Sequence, residues 1–97
     1  MNTYEVVFLH RTAKSRDEPG YAAAKAAHLD YVEQQRRAGR VRLYGSVGGG
    51  PGEQVSSVFL YGVGSQDEAR RIAEADPIVT QGWISVSVGD FVTGWKG

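Results

Sequence analysis

A histidine inside a helical apolar stripe and an aspartate held before a proline are residue types from which a proton-transfer site can be built. This chain carries one of each: His28 in Ala24-Lys25-Ala26-Ala27-His28-Leu29-Asp30-Tyr31-Val32, and Asp76 in Ala75-Asp76-Pro77. Imidazole ordinarily titrates near neutrality, the range in which accepting and returning a proton is most useful. A carboxylate beside it would set the tautomer and stabilise the imidazolium, the division of labour of a catalytic triad without its serine. Each residue also has an ordinary reading. A half-exposed histidine can merely satisfy a backbone carbonyl, and Asp-Pro can merely stop a helix.

The remaining candidates are thinner. His10, the other of two histidines, ends an apolar run and could join a pocket at a sheet edge. Two histidines without a clustered carboxylate or third ligand do not make a metal site, so no metal and no cofactor is expected. The glycine-rich stretch from Gly45 to Gly52 lacks the Gly-Lys-Ser/Thr ending of a phosphate loop, and no helix follows it. It reads as a plain hairpin loop or a mobile lid. Ser46, Ser85 and Ser87 fall on strands with no sharp elbow to expose a nucleophile. Tyr21, Tyr31, Tyr44 and Tyr61 read as packing residues with polar tips. Tyr31, Tyr44, Trp83 and His10 are the candidates for walls of a substrate pocket.

These residues need elements to bring them together. Tyr4 to His10 is rich in β-branched and aromatic residues and reads as a first strand. After Pro19-Gly20, the residues Ala22, Ala26, Leu29 and Val32 recur at helical spacing, which puts His28 at the margin of the apolar stripe, alongside Tyr21, Ala24, Tyr31 and Gln35. Asp17 or Glu18 and Pro19 suit the start of that helix, while Arg36, Arg37 and Gly39 suit its end. Val41 to Val47 alternates Val41, Leu43, Gly45 and Val47 against Arg42, Tyr44 and Ser46, and with Val55 to Val63 predicts a hairpin. Ser65 followed by acidic residues starts a second helix with an Ala69, Ile72, Ala73 and Ala75 face, which Asp76-Pro77 ends. Trp83 to Val92 is a last strand, with Ile84, Val86 and Val88 on one side and Trp83, Ser85 and Ser87 on the other.

The order is β-α-β-β-α-β, an α+β ferredoxin-like class with a four-stranded antiparallel sheet and both helices on one face. Residues 1–97 read as a single domain, since a chain of this length buries only about 60–65% of its unfolded surface and cannot support a second core. The side-by-side helices can bring Asp76 towards His28. The helix-free face would carry a mixed set such as Trp83, Ser85 and Ser87, or the alternating set on the first strand that includes Phe8 and His10, which predicts a homodimer pressed together through the sheet.

Eleven basic and eleven acidic residues give no net field, so nucleic acid and anionic membrane surfaces are poor partners. No cysteine is present, which removes thiolate chemistry and disulfides and is compatible with a reducing cytoplasm. No apolar run approaches the roughly 20 residues of a membrane span, and the N-terminus reads as a strand rather than a signal peptide.

Taken in order, Lys25-Ala-Ala-His28-Leu29-Asp-Tyr31, Ala38-Gly39-Arg-Val, the glycine-rich loop after Tyr44-Gly45, Asp67-Glu-Ala69, Ala75-Asp76-Pro77 and a last strand ending near Phe91 resemble the YCII-related family over nearly the whole chain. The resemblance implies a dimeric α/β barrel joined through its sheets, with His28 and Asp76 as the active pair. Two positions depart from the family pattern: Lys25 stands where an arginine is frequent, which keeps charge but loses bidentate carboxylate recognition. Ser46 follows Gly45 where a proline is frequent. One branch of the family resembles a dehydrochlorinase of chlorinated hydroxyquinols. The expected function is therefore a cofactor-independent lyase or isomerase, dehydrochlorinase- or dehydratase-like, using a His–Asp acid/base pair on a small cyclic or aromatic substrate. The competing expectations are a non-catalytic small-molecule-binding accessory domain and a cofactor-free oxygenase of the dimeric barrel type.

Overall fold

In chain order the elements are β1 (Thr3–Arg11), α1 (Tyr21–Arg37), β2 (Val41–Ser46), β3 (Val55–Tyr61), α2 (Gln66–Glu74), α3 (Pro77–Thr80) and β4 (Ile84–Val92). They come from a computed structural model that describes residues 2–48 and 55–94. The loop expected between β2 and β3 lies, beyond Gly48, outside the described residues. The sheet runs β2-β3-β1-β4 with every neighbouring pair antiparallel. The helices pack on one face, giving the α+β ferredoxin-like architecture that the element order predicts.

Cross-strand pairing decides which residues share a face. Val7 lies opposite Phe59 and Val88, Leu9 opposite Ser57 and Val86, and Arg11 opposite Ile84, and this set faces the helices. Val7, Leu9, Phe59, Tyr61, Ile84, Ala69, Ile72, Ala73 and Ile78 form its buried core. On the other face Val6 lies opposite Leu60, Phe8 opposite Val58 and Ser87, and His10 opposite Val55 and Ser85. Phe8, Ser85 and Ser87 thus fall on the helix-free face, as their alternation predicts.

Several local expectations are corrected. Strict alternation in β2 fails because the register shifts between Val41 and Leu43, leaving Arg42 as an extra residue. Val41 stays in the core, whereas Leu43 moves to the open face, 63% exposed, and Tyr44 turns in to stack on Phe59 at 4.4 Å between ring centroids. In α1 the buried residues are Ala24, His28, Val32 and Gln35, so the apolar stripe centres on the histidine and Leu29 is exposed. Periodicity of residue type misplaced this face because a run of alanines is compatible with several orientations. Pro19 precedes the helix, whose N-cap is Gly20 at φ 96°, and the first turn holds no acid. Gly39 at φ 77° ends α1.

The second half of the chain contains one more element than expected. Ser65 caps α2, its hydroxyl accepting from the Glu68 N–H at 3.1 Å. The Asp76-Pro77 stop then also starts the short helix α3. Trp83 does not belong to β4 or to its helix-free face. It precedes the strand, after Gly82 at φ 85°, and is buried on the helix side. Glu5, given no role by the sequence, is buried on that side too. Its Oε1 accepts from the Val63 and Gly64 N–H groups and shapes the turn into α2. Among the described residues no helix is long and apolar enough to cross a membrane.

Candidate active site

Asp76 owes its orientation to the residue after it. Proline keeps the preceding residue out of helical geometry, and Asp76 is extended, at φ −63° and ψ 131°. Its Oδ1 accepts from the Ile78 N–H at 3.0 Å and so caps α3. The second oxygen, Oδ2, lies 2.6 Å from His28 Nδ1. The pair sits within the protein, with His28 2% and Asp76 5% exposed. A carboxylate accepts in this contact, so Nδ1 donates; in the neutral imidazole that tautomer leaves the lone pair on Nε2. The tautomer is thus set by a carboxylate that is itself set by a cap.

An aromatic floor keeps the imidazole in place. His28 meets Phe59 edge-on at 6.4 Å, and Phe59 is stacked between Tyr44 and Tyr61. Tyr31 lies nearby and donates its hydroxyl to the Ile72 carbonyl at 2.6 Å, tying α1 to α2. Burial, with the Asp76 carboxylate as a second cause, pushes the Tyr31 phenol above its ordinary range. Burial does the same to Tyr61, with Tyr31 and Asp76 adding to it. Both phenols are therefore neutral at ordinary pH, Tyr31 as a hydrogen-bond donor and Tyr61 as a packing residue.

A cavity of about 390 Å³ opens beside the pair, within the range of small-molecule sites. His28 lines it and Asp76 does not. Its apolar wall includes Leu9, Ile78, Ile84 and Trp83, with Tyr21 packed edge-on against Trp83 at 5.3 Å. The connection between β1 and α1 forms one side. The Thr12 hydroxyl donates to the Gly82 carbonyl at 2.7 Å and Lys14 Nζ to the Gln81 carbonyl at 2.9 Å, pinning that segment to the turn before β4. Lys14 Nζ also stands 3.9 Å from the centre of the Trp83 ring, a cation–π contact.

Of the residues singled out in the sequence, the structure brings together His28, Asp76 and Trp83. Tyr31 and Tyr44 stand behind the pair rather than in the cavity wall. His10 points to the opposite face of the sheet, where its Nε2 lies 2.8 Å from the Ser87 hydroxyl. The cause is strand periodicity: Leu9 and Arg11 face the helices, so the residue between them cannot. Sequence reasoning missed Arg11, Thr12, Lys14 and Arg16, which line the cavity from a segment taken only as the end of a strand. The density of basic residues from Arg11 to Arg16 was the available signal. Among the described residues no three His, Cys, Asp or Glu side chains are grouped to hold a metal ion.

An antiparallel sheet in the order β2-β3-β1-β4, covered on one face by helices that carry a buried His–Asp contact beside a cavity, defines a ferredoxin-like α+β protein with a small-molecule-sized site. The YCII-related domain matches residues 6–92, and the chain belongs to that family. Comparison with curated proteins finds no match. Among solved structures, the chain is similar to 5-chloro-2-hydroxyhydroquinone dehydrochlorinase (TftG) from Burkholderia phenoliruptrix AC1100 in complex with 2,5-dihydroxybenzoquinone. The TM-score is 0.67 at 22% identity, covering 94% of this chain and 95% of that one, and at this identity the likeness is one of fold.

Proposed function

We propose that this protein, as one domain over residues 1–97, is a cofactor-independent lyase or isomerase of the dehydrochlorinase or dehydratase type, acting on a small cyclic or aromatic substrate. The observation that carries this reading is the division of the pair at the cavity wall: His28 faces the cavity, and Asp76 lies behind it holding Nδ1. In an elimination, Nε2 accepts a proton from the substrate, the electron pair of the broken bond becomes a new π bond, and the leaving group departs with its own bonding pair. The Asp76 carboxylate stabilises the imidazolium so formed, which then returns the proton to solvent or to the departing group. The dehydrochlorinase activity named for the fold neighbour supports this choice of reaction class.

The test is chloride release from 5-chloro-2-hydroxyhydroquinone under anaerobic conditions, by wild type and by His28→Gln checked for native circular dichroism. Wild type is expected to act without oxygen, and the variant to lose about 10²–10⁴-fold. Equal rates in a folded variant would overturn the proposal. So would recovery of every chlorinated or hydroxylated ring intact from wild type, which would leave a binding protein. A requirement for oxygen would point to the oxygenase instead.

The open sheet face is the proposed homodimer surface. Val6, Phe8, Val58 and Leu60 form an apolar centre there, with Leu43 exposed beside them. A cytoplasmic setting goes with this reading, since a chain without cysteine neither needs nor uses an oxidising compartment.

A further inference from the structure

Tyr31 stands three residues after His28 on α1, so the two side chains leave the helix on the same side, one turn apart. The segment they face is spaced in the same way, since Ile72 precedes Asp76 by four residues at the end of α2. Both corners of this arrangement are closed. His28 Nδ1 meets Asp76 Oδ2 at 2.6 Å, and the Tyr31 hydroxyl donates to the Ile72 carbonyl at 2.6 Å.

The Ile72 carbonyl is open to that donor because of how Asp76 is aimed. Had α2 continued, the Asp76 N–H would have bonded the carbonyl four residues back, which is that of Ile72. Pro77 holds Asp76 extended instead, and its N–H turns to the Ala73 carbonyl at 3.2 Å. Ile72 keeps only a share of the Ala75 N–H, at 3.3 Å, which it divides with the Arg71 carbonyl. Carbonyls at a helix end are left under-satisfied in this way, and here a phenol from the neighbouring helix completes one. The break that turns the carboxylate towards His28 and the carbonyl that receives Tyr31 are thus one event in the backbone. A single contact between two segments leaves each free to swing about it. Two contacts one turn apart hold their separation and their rotation together. The hydroxyl remains a donor, since burial first and the Asp76 carboxylate second raise it above the ordinary phenol range, against the opposing Arg40 guanidinium.

We infer that Tyr31 is the positioning residue of the His28–Asp76 pair: by closing the end of α2, its hydroxyl holds the carboxylate in register with Nδ1 and keeps the imidazole presented to the cavity. Tyr31 itself does not line that cavity, so it acts on the reaction through the pair alone. The inference rests on the function proposed above and deepens it. Proton transfer depends steeply on the placement of the acceptor, which is why a contact behind the pair bears on turnover.

The experiment removes the hydroxyl and keeps the ring. In Tyr31→Phe, checked for native circular dichroism, kcat for chloride release from 5-chloro-2-hydroxyhydroquinone is expected to fall about tenfold at a KM within about twofold of wild type. The second readout needs no turnover. The chain has two histidines, so ¹H–¹⁵N spectra of histidine-labelled protein identify the His28 Nδ1–H once the His10 signal is assigned through His10→Gln. Its exchange with solvent is expected to quicken about tenfold in Tyr31→Phe. Gly39→Ala, which weakens the C-terminal end of the same helix, is expected to move neither readout. Either readout unchanged in a folded Tyr31→Phe, or an equal change of both in Gly39→Ala, would make the hydroxyl a structural group only and overturn the inference. Tyr31→Met removes the same hydroxyl and carries the test if Tyr31→Phe does not fold. The two proposals fail separately: absence of chloride release by wild type faults the reaction and leaves the exchange measurement to decide on Tyr31, whereas unchanged exchange with active wild type faults Tyr31 alone.

Discussion

Asp76 performs two tasks with one carboxylate, and its two conservative replacements separate them. Asp76→Ala removes the α3 cap and leaves the buried Nδ1–H of His28 without an acceptor. The expected loss is about 2–4 kcal/mol in urea unfolding, with a matching fall in the midpoint. Asp76→Asn keeps an oxygen for the Ile78 N–H but presents an amide N–H to Nδ1, which drives the imidazole proton to Nε2. Its stability is expected to stay within about 1–2 kcal/mol of wild type while chloride release falls about 10²-fold or more. Parallel loss of stability and turnover in Asp76→Asn would argue that the pair only holds the fold together. The phenols behind it report on alkaline stability. Tyr31 and Tyr61 have folded pKa values raised by burial, so their contribution is complete below the unfolded value of about 10 and is lost as pH rises through the folded values. The urea midpoint is expected to fall above about pH 10, and Tyr31→Phe to reduce that slope.

At the scale of elements, the ends of helices were easier to read than their faces. Ser65 and Gly39 are local devices: one hydroxyl meets an unsatisfied N–H, and one glycine takes a left-handed conformation. Neither depends on the rest of the fold. Gly39→Ala tests this, because a Cβ there meets nothing within 4 Å and only the backbone resists. The expected cost is about 1 kcal/mol, a drop of about 4–8 °C in thermal unfolding with unchanged ligand binding. The face of α1 was misread because alanine is apolar but small. Which alanines face the sheet depends on what the neighbouring elements supply, and here Asp76 at the start of α3 and Phe59 on β3 supply a surface that takes His28. The Arg42 bulge and the position of Trp83 were illegible for a related reason. An extra residue or a left-handed glycine moves side chains between faces, and no alternating pattern reveals where this happens.

For the whole molecule, the sheet face left open by the helices bears on assembly. Leu43 is already exposed in the monomer, so Leu43→Asp costs little folding energy. Combined with Leu60→Asp it places charge in the apolar centre of the proposed interface. Light scattering is expected to show a dimer for wild type and a monomer for the double variant, with native circular dichroism in both. A monomeric wild type at micromolar concentration would remove the dimer from the proposal.

By itself the sequence determined the order of the four strands and the two longer helices, the Ser65 cap and the Gly39 stop, and it singled out His28 and Asp76. All of these follow from local stereochemistry and residue type. The antiparallel ferredoxin-like layout followed from that order, because few arrangements bury two amphipathic helices on one four-stranded sheet. Only the tertiary structure decided that His28 and Asp76 touch, that His10 faces away from the cavity, and that the segment from Arg11 to Arg16 lines the cavity opposite α1. Contact between residues distant in sequence depends on which face each element turns inward. That choice is made by the packing of the whole molecule and not by any segment alone.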